Sequence, residues 1–378
     1  MLTSTSNIFC RVNRRRPCRI CGKPDWCVYV RDGERISVCM RVSDGARKIN
    51  RHGGAIFIHE DWHDDWREEG AIGVRVVADI PQSSIAPIEI RDSVYDKLIE
   101  LSPATLYAGA LIAGEKGLLA RGLSECHFDN YGGLPAGSRE RDRIARLLLH
   151  EMYDNFSGAG SLRGIPGFWE DRQGVHFWKP KDYLLPRLLI PVRDEWGRIQ
   201  ACQMRLPFAA KKGLRYLWLS SSDLPHGTGS GSPLHFRFRL ADLPRDTWLV
   251  IVEGVLKADV LSSLRPELYI VATPCVTANH GALVELTHGR SVLMAFDQDF
   301  YENEAVCFHL ASFVARRLRR ERTLATTRIA SWDAGVKGID DAAVRNLPIT
   351  SISVRQWIDR LNPRLRQIAM TRNLHIIQ

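Results

Sequence analysis

Leu249-Val250-Ile251-Val252-Glu253-Gly254 opens the stretch that decides the fold, and Ser291-Val292-Leu293-Met294-Ala295-Phe296-Asp297-Gln298-Asp299 continues it. Both runs are short, unbroken and rich in aliphatic residues. That is the pattern of strands covered on both faces in a parallel sheet. A helical pattern follows each, Val255 to Leu264 and Glu302 to Arg320. Strand then helix, repeated, predicts an open α/β sheet. Ligands of such sheets bind beyond the carboxyl ends of the strands. Glu253, Asp297 and Asp299 are expected there. Three carboxylates at one sheet edge repel each other until a cation neutralises them. Hard oxygen donors at this spacing suit Mg²⁺ or Mn²⁺.

Hydrophobic-Glu-Gly followed by hydrophobic-Asp-x-Asp resembles the TOPRIM domain of primases, topoisomerases and some nucleases. Asp340-Asp341, in Val336-Lys337-Gly338-Ile339-Asp340-Asp341, resembles the further acidic motif of phage and plasmid primases. Lys257, in Glu253-Gly254-Val255-Leu256-Lys257-Ala258-Asp259, fits the same subgroup. The resemblance implies a Rossmann-like parallel sheet over 246–345. It also implies a magnesium site of Glu253, Asp297, Asp299, Asp340 and Asp341, with Lys257 beside it.

At 378 residues, two or three domains are expected, and a hydrophobic share of 45% allows a proper core. No apolar run reaches transmembrane length, and no signal-peptide pattern opens the chain. The expectation is a cytoplasmic protein with no membrane partner. Four of the nine cysteines crowd into residues 18–39. In a reducing compartment such crowding points to metal, not disulfides. The net charge is +9, and residues 1–51 alone hold 12 Lys+Arg against 4 Asp+Glu. Positive charge so concentrated favours a polyanion, nucleic acid above all.

Residues 1–17, ending in Arg14-Arg15-Arg16-Pro17, read as a flexible basic arm. Cys18-Arg19-Ile20-Cys21-Gly22 is a zinc knuckle, its glycine turning backbone amides toward the thiolates. Val28 to Val30 and Arg35 to Val38 read as a β-hairpin around Asp32-Gly33 that carries Cys39 back to the knuckle. Cys18, Cys21 and Cys39 are three ligands, and the fourth is Cys27 or His59. Cys27 is preferred as a nearby thiolate, although the second pair is not Cys-x-x-Cys. The 1–59 module resembles the N-terminal zinc ribbon of primases. Arg19, Lys23, Trp26, Tyr29, Arg31, Arg35 and Arg41 are its candidates for holding single-stranded template by phosphate contact and stacking.

Residues 60–92, acidic and then Pro/Ser-rich, read as a linker, with His63 a weak metal candidate. Residues 93–245 read as one subdomain, helical first and then basic and β-rich. Val94, Leu98, Leu101 and then Ile144, Leu147, Leu148, Met152 recur at helical spacing, and no chemistry is expected in 93–157. Leu188 to Val192 and Arg198 to Leu206 read as strands joined by an Asp194-Glu195-Trp196-Gly197 turn, followed by a strand from Arg215 to Ser220. Residues 186–216 hold 7 Lys+Arg against 2 Asp+Glu. This string resembles the basic subdomain before TOPRIM in bacterial-type primases. The resemblance implies that Arg187, Arg193, Arg205 and Arg215 meet template and incoming nucleotide. Gly227-Thr228-Gly229-Ser230-Gly231-Ser232 lacks the Lys-Ser/Thr ending of a phosphate loop and reads as a flexible connection. Residues 346–378 read as a tail with one short helix over Val354 to Leu361.

The resemblance taken whole implies a zinc-ribbon TOPRIM primase of the phage, plasmid or mobile-element subgroup. Its expected partners are single-stranded DNA, ribonucleoside triphosphates and, as no Walker A motif occurs, a separate replicative helicase. Its expected cofactors are structural Zn²⁺ and catalytic Mg²⁺ or Mn²⁺. The alternatives are a TOPRIM nuclease, which uses the same carboxylates to cleave phosphodiesters, and a non-catalytic nucleic-acid-binding replication protein.

Overall fold

A computed structural model describes residues 9–30, 36–44, 46–49, 54–58, 83–153, 161–207, 215–323 and 325–370. Arg31, Arg35, the Asp32-Gly33 turn, His59, His63 and the linker up to residue 82 lie outside them. Among the described residues the chain is mixed α/β with four sheets.

The N-terminal sheet is antiparallel and holds β1 (Phe9–Arg11), β2 (Val28–Val30), β3 (Ile36–Cys39), β4 (Lys48–Ile49) and β5 (Ala55–Ile58) in the order β1-β2-β3-β5-β4. Residues 9–17 differ from the expected flexible arm. β1 pairs with β2, and the Asn13 side-chain oxygen accepts the Arg15 and Arg16 amides at 2.9 and 3.0 Å. An asparagine closing its own turn fixes the arginine run.

Next come α1 (Ile88–Leu101), α2 (Ala104–Tyr107), α3 (Gly109–Ala113), β6 (Gly132–Leu134) and α4 (Ser138–Tyr153). The hairpin β7 (Phe168–Asp171) and β8 (Gly174–Phe177) follows, then β9 (Arg187–Arg193), β10 (Ile199–Arg205) and β11 (Tyr216–Trp218). β6 joins the last three in an antiparallel sheet, β11-β10-β9-β6. Val94, Leu98, Ile144 and Leu148 bury the helices against Leu189, Cys202 and Met204. The Asp194 carboxylate closes the β9–β10 turn by accepting the Trp196 and Arg198 amides, both at 2.9 Å. The Gly-rich segment is packed, contrary to the flexible connection expected. Ser221 donates its amide to the Thr228 carbonyl at 3.0 Å, and Thr228 and Ser230 are buried. A Cβ on Gly227 would sit 1.9 Å from the Ser221 carbonyl oxygen, so glycine serves close packing there.

The third unit is a six-stranded sheet of β12 (His235–Phe236), β13 (Leu249–Glu253), β14 (Tyr269–Thr273), β15 (Val292–Ala295), β16 (Thr327–Ser331) and β17 (Thr350–Ser353), ordered β12-β14-β13-β15-β16-β17. The four central strands are parallel and both edge strands antiparallel. Of its helices, α5 (Val255–Leu264) and α8 (Ile339–Val344) cover one face. α6 (His280–Leu286), α7 (Glu304–Glu321), α9 (Val354–Arg360) and α10 (Pro363–Met370) cover the other. Two covered faces explain the unbroken apolar runs, since Val250 and Val252 point one way and Leu249 and Ile251 the other. α5 also packs Val255, Leu256 and Val260 against Leu188, Ile190 and Val192, which binds this sheet to the preceding one.

Element positions depart from the expected boundaries at three places. α1 starts inside the stretch read as linker, and β12 lends the parallel sheet an edge from within the basic subdomain. The expected tail completes the domain. β17 pairs with β16, and Trp357, Leu361, Leu365 and Ala369 are buried in the largest core cluster. No helix among the described residues is long and apolar enough to cross a membrane.

Candidate active site and metal centres

Parallel pairing aligns the carboxyl ends of neighbouring strands. Glu253 closes β13 opposite Thr273, and Val252 faces Ala295 of β15. The chain runs from β13 to β14 on one side and then returns to β15 on the other. The reversal makes the β13–β15 junction the topological switch point, where a crevice opens. Gly254 turns the chain from strand to helix at φ 99°, a left-handed value that disfavours side chains, so a glycine must follow Glu253. Asp297 and Asp299 leave β15 on a single 3₁₀ turn, and the Gln298 amide between them donates to the Lys337 carbonyl at 3.0 Å. That bond brings the loop before α8 against the two aspartates.

Two lysines neutralise the cluster. Lys257, on the first turns of α5, donates to Asp297 Oδ1. Lys337 Nζ lies 2.8 Å from Asp299 Oδ2 and 3.7 Å from Asp297 Oδ2. Burial pushes the Glu253 carboxyl up to about 7; Lys257 opposes this, and Asp297 and Asp299 add to it. Asp340 and Asp341 part company. Asp340 is buried, and burial raises its carboxyl above the ordinary range; Asp341 is exposed. Arg121 Nη2 reaches Asp340 Oδ2 at 2.5 Å from the 3₁₀ turn after α3. Residues 93–157 were expected to carry no chemistry, yet Arg121 enters the site, and so does Lys337 from the loop before α8. Arg121 has no periodic signal, whereas Lys337 stands three residues before Asp340.

Asp299 Oδ1 and Asp340 Oδ1 are buried acceptors without a hydrogen-bond partner. Orphaned carboxylate oxygens among other acids are the donor set of a hard divalent cation, so these residues fit Mg²⁺ or Mn²⁺. Among the described residues, only Cys18, Cys21, Cys27 and Cys39 gather three or more metal-ligating atoms within 4.8 Å of one another.

Those four thiols are buried. The Cys21–Cys27 and Cys27–Cys39 sulfur separations are 3.7 and 3.8 Å. A tetrahedron with Zn–S bonds of about 2.3 Å has edges of about 3.8 Å, so the cluster fits zinc. Register takes the place of the missing second Cys-x-x-Cys. Val28 pairs with Val38, so Cys27 and Cys39 flank the same end of the β2–β3 hairpin. Amides of Met40, Arg41 and Val42 donate to the Cys27 and Cys39 sulfurs at 3.3–3.4 Å, as thiolate ligands require. His59 lies outside the described residues. Arg41 is occupied, not free for phosphate. It holds the Asp25 carboxylate at 2.5 Å and the Asp25 carbonyl at 2.8 Å, and its guanidinium lies 5.3 Å from the Trp26 ring centroid. Trp26 itself stands 61% exposed.

The expected phosphate arginines are scattered. Arg187 is buried between Trp178 and Tyr183, 4.3 and 3.8 Å from their ring centroids, and desolvation lowers its pKa. Arg193 lies at the far end of β9, six residues or about 20 Å along the strand, with Nη1 on the Gly197 carbonyl at 3.0 Å. Arg205 pairs across to Leu188, so it sits on the face opposite Arg187. It is buried and donates to the Lys116 carbonyl. Arg215 is exposed.

No family model and no curated protein matches the sequence. Solved structures of bacterial primases align with it. The RNA polymerase domain of Mycobacterium tuberculosis primase DnaG, in complex with a double-stranded DNA oligomer with a 6-nucleotide overhang, is 19% identical, with a TM-score of 0.46 over 77% of this chain and 91% of that one. A DNA primase domain from Pseudomonas aeruginosa is 20% identical, with a TM-score of 0.45 over 72% and 78%. The zinc binding and RNA polymerase domains of Aquifex aeolicus primase are 14% identical, with a TM-score of 0.41 over 76% and 72%.

Proposed function

We propose that the chain is a zinc-ribbon TOPRIM primase that joins ribonucleotides on a single-stranded DNA template. One observation carries the reading: Glu253, Asp297 and Asp299 stand at the carboxyl ends of two adjacent parallel strands, at the switch point of the sheet. Divalent ions bound at Asp297, Asp299 and Asp340 would supply Lewis-acid stabilisation of the triphosphate. The chain's own groups do the rest. Glu253, with its carboxyl raised to about 7, accepts the proton of the attacking 3′-hydroxyl. Lys257 balances charge on phosphate oxygens from the first turns of α5. Arg121 holds Asp340 in place. The zinc module offers Trp26 for stacking on a template base. Arg215, exposed, remains the phosphate contact of the basic subdomain, while Arg187 and Arg205 act as packing cations. The test is incubation with single-stranded DNA, labelled ribonucleotides and Mg²⁺ or Mn²⁺. Short oligonucleotides support the reading, template cleavage would make the chain a nuclease, and neither product would make it a binding protein.

A further inference from the structure

Lys337 stands in the acid cluster, and the reaction above gives it no role. Its backbone is fixed, because its carbonyl accepts the Gln298 amide between the two aspartates. Its side chain is 62% exposed, yet Nζ bridges Asp299 Oδ2 at 2.8 Å and Asp297 Oδ2 at 3.7 Å. Lys257 differs: it is 21% exposed, held on a helix, and engages the other oxygen of Asp297. One cation of the pair is thus rooted and the other can swing into solvent. A divalent ion held by both Asp297 and Asp299 would need the space that Nζ takes between them. An ammonium and a divalent ion cannot share it, because like charges at contact repel.

We infer that Lys337 is an exchangeable counter-ion: it neutralises Asp297 and Asp299 until a divalent cation displaces it, and its released ammonium then binds the phosphates of the incoming nucleotide. An exposed ion pair is weak enough for such exchange. The tether through Gln298 keeps the displaced ammonium beside the cluster. No bond is made or broken in the exchange. This inference rests on the metal-dependent polymerase reading, and the test separates the two.

Mn²⁺ binding to the full zinc-loaded chain, without nucleotide and at low salt, is followed by the loss of the free-ion electron paramagnetic resonance signal. Lys337→Gln should bind Mn²⁺ about two- to fivefold tighter than wild type, the range an exposed ion pair sets. Lys337→Arg, which keeps the charge, should stay near wild type. At saturating Mn²⁺, Lys337→Gln should raise the KM for ribonucleotide more than it lowers kcat. Equal or weaker Mn²⁺ binding by Lys337→Gln overturns the exchange, and an unchanged KM overturns the transfer to phosphate. Wild type that binds no Mn²⁺ through Asp297, judged against Asp297→Asn, overturns both this inference and the polymerase reading. Tighter Mn²⁺ binding in a chain that makes no oligonucleotide upholds the exchange and removes only the primase assignment.

Discussion

Glu253→Gln is expected to stabilise the metal-free protein, by an amount that grows as pH rises from 4.5 to 7 and is complete above neutral pH. The Glu253 carboxyl is raised from an ordinary 4.5 to about 7, first by burial and then, against Lys257, by Asp297 and Asp299. Between those values the folded chain holds a proton that the unfolded chain has released. Stability contributed by the protonated form is complete below pH 4.5 and lost as pH rises to 7. At about 1.4 kcal/mol per pH unit the loss has a ceiling of roughly 3.5 kcal/mol. Because Glu253 is partly exposed, about 1–2 kcal/mol is the better expectation. Glutamine keeps the shape and carries no charge. Denaturant unfolding of both proteins, zinc-loaded and free of Mg²⁺, should give curves that coincide near pH 4.5 and separate by that amount at pH 8. Added Mg²⁺ should narrow the gap, since the ion favours the carboxylate. Curves that stay parallel across pH, or a glutamine variant that is less stable at pH 8, would mean that the Glu253 carboxyl is not raised in the folded chain.

Cys27→Ser and Cys39→Ser should each lose the zinc that the wild type retains at about one ion per chain; full occupancy by metal analysis in Cys27→Ser would return His59 as the fourth ligand. Arg121→Ala leaves the buried Asp340 unpaired and should cost about 2 kcal/mol, much of it recovered by adding Asp340→Asn; thermal unfolding of the single and double variants decides. Arg205→Met, which removes a buried cation, should alter stability but not template affinity, whereas Arg215→Ala should weaken template binding and flatten its salt slope by about 0.7. Fluorescence anisotropy across a salt series measures that contrast, and an unchanged slope in Arg215→Ala would remove its phosphate contact.

The sequence made the parallel sheet legible because its signal is local. Leu249–Glu253 and Val292–Ala295 are unbroken aliphatic runs, and each ends on acids that have no reason to follow a buried strand. The zinc cluster was legible for the same reason in Cys18 and Cys21; Cys27 needed the hairpin register, which spacing alone does not state. Arg121 was illegible, since a lone arginine in a helical segment shows nothing until the fold brings it 219 positions along the chain to Asp340. Arg187 and Arg205 read as phosphate ligands because charge is visible in sequence and burial is not; both are covered by aromatic or backbone partners. The C-terminal residues read as a tail because Trp357, Leu361 and Leu365 are too few to mark a core without the helices they meet.

Asp297, Asp299 and Glu253 are proposed to form one nucleotidyl-transfer site. The most direct measurement is the rate of oligoribonucleotide synthesis on single-stranded DNA by wild type, Asp297→Asn, Asp299→Asn and Glu253→Gln, each first shown to be folded and to bind template. Wild type should make product with Mg²⁺ or Mn²⁺, and every variant should lose about a thousandfold or more in rate. Synthesis at the wild-type rate by Asp297→Asn and Glu253→Gln would mean that these carboxylates do not form the site.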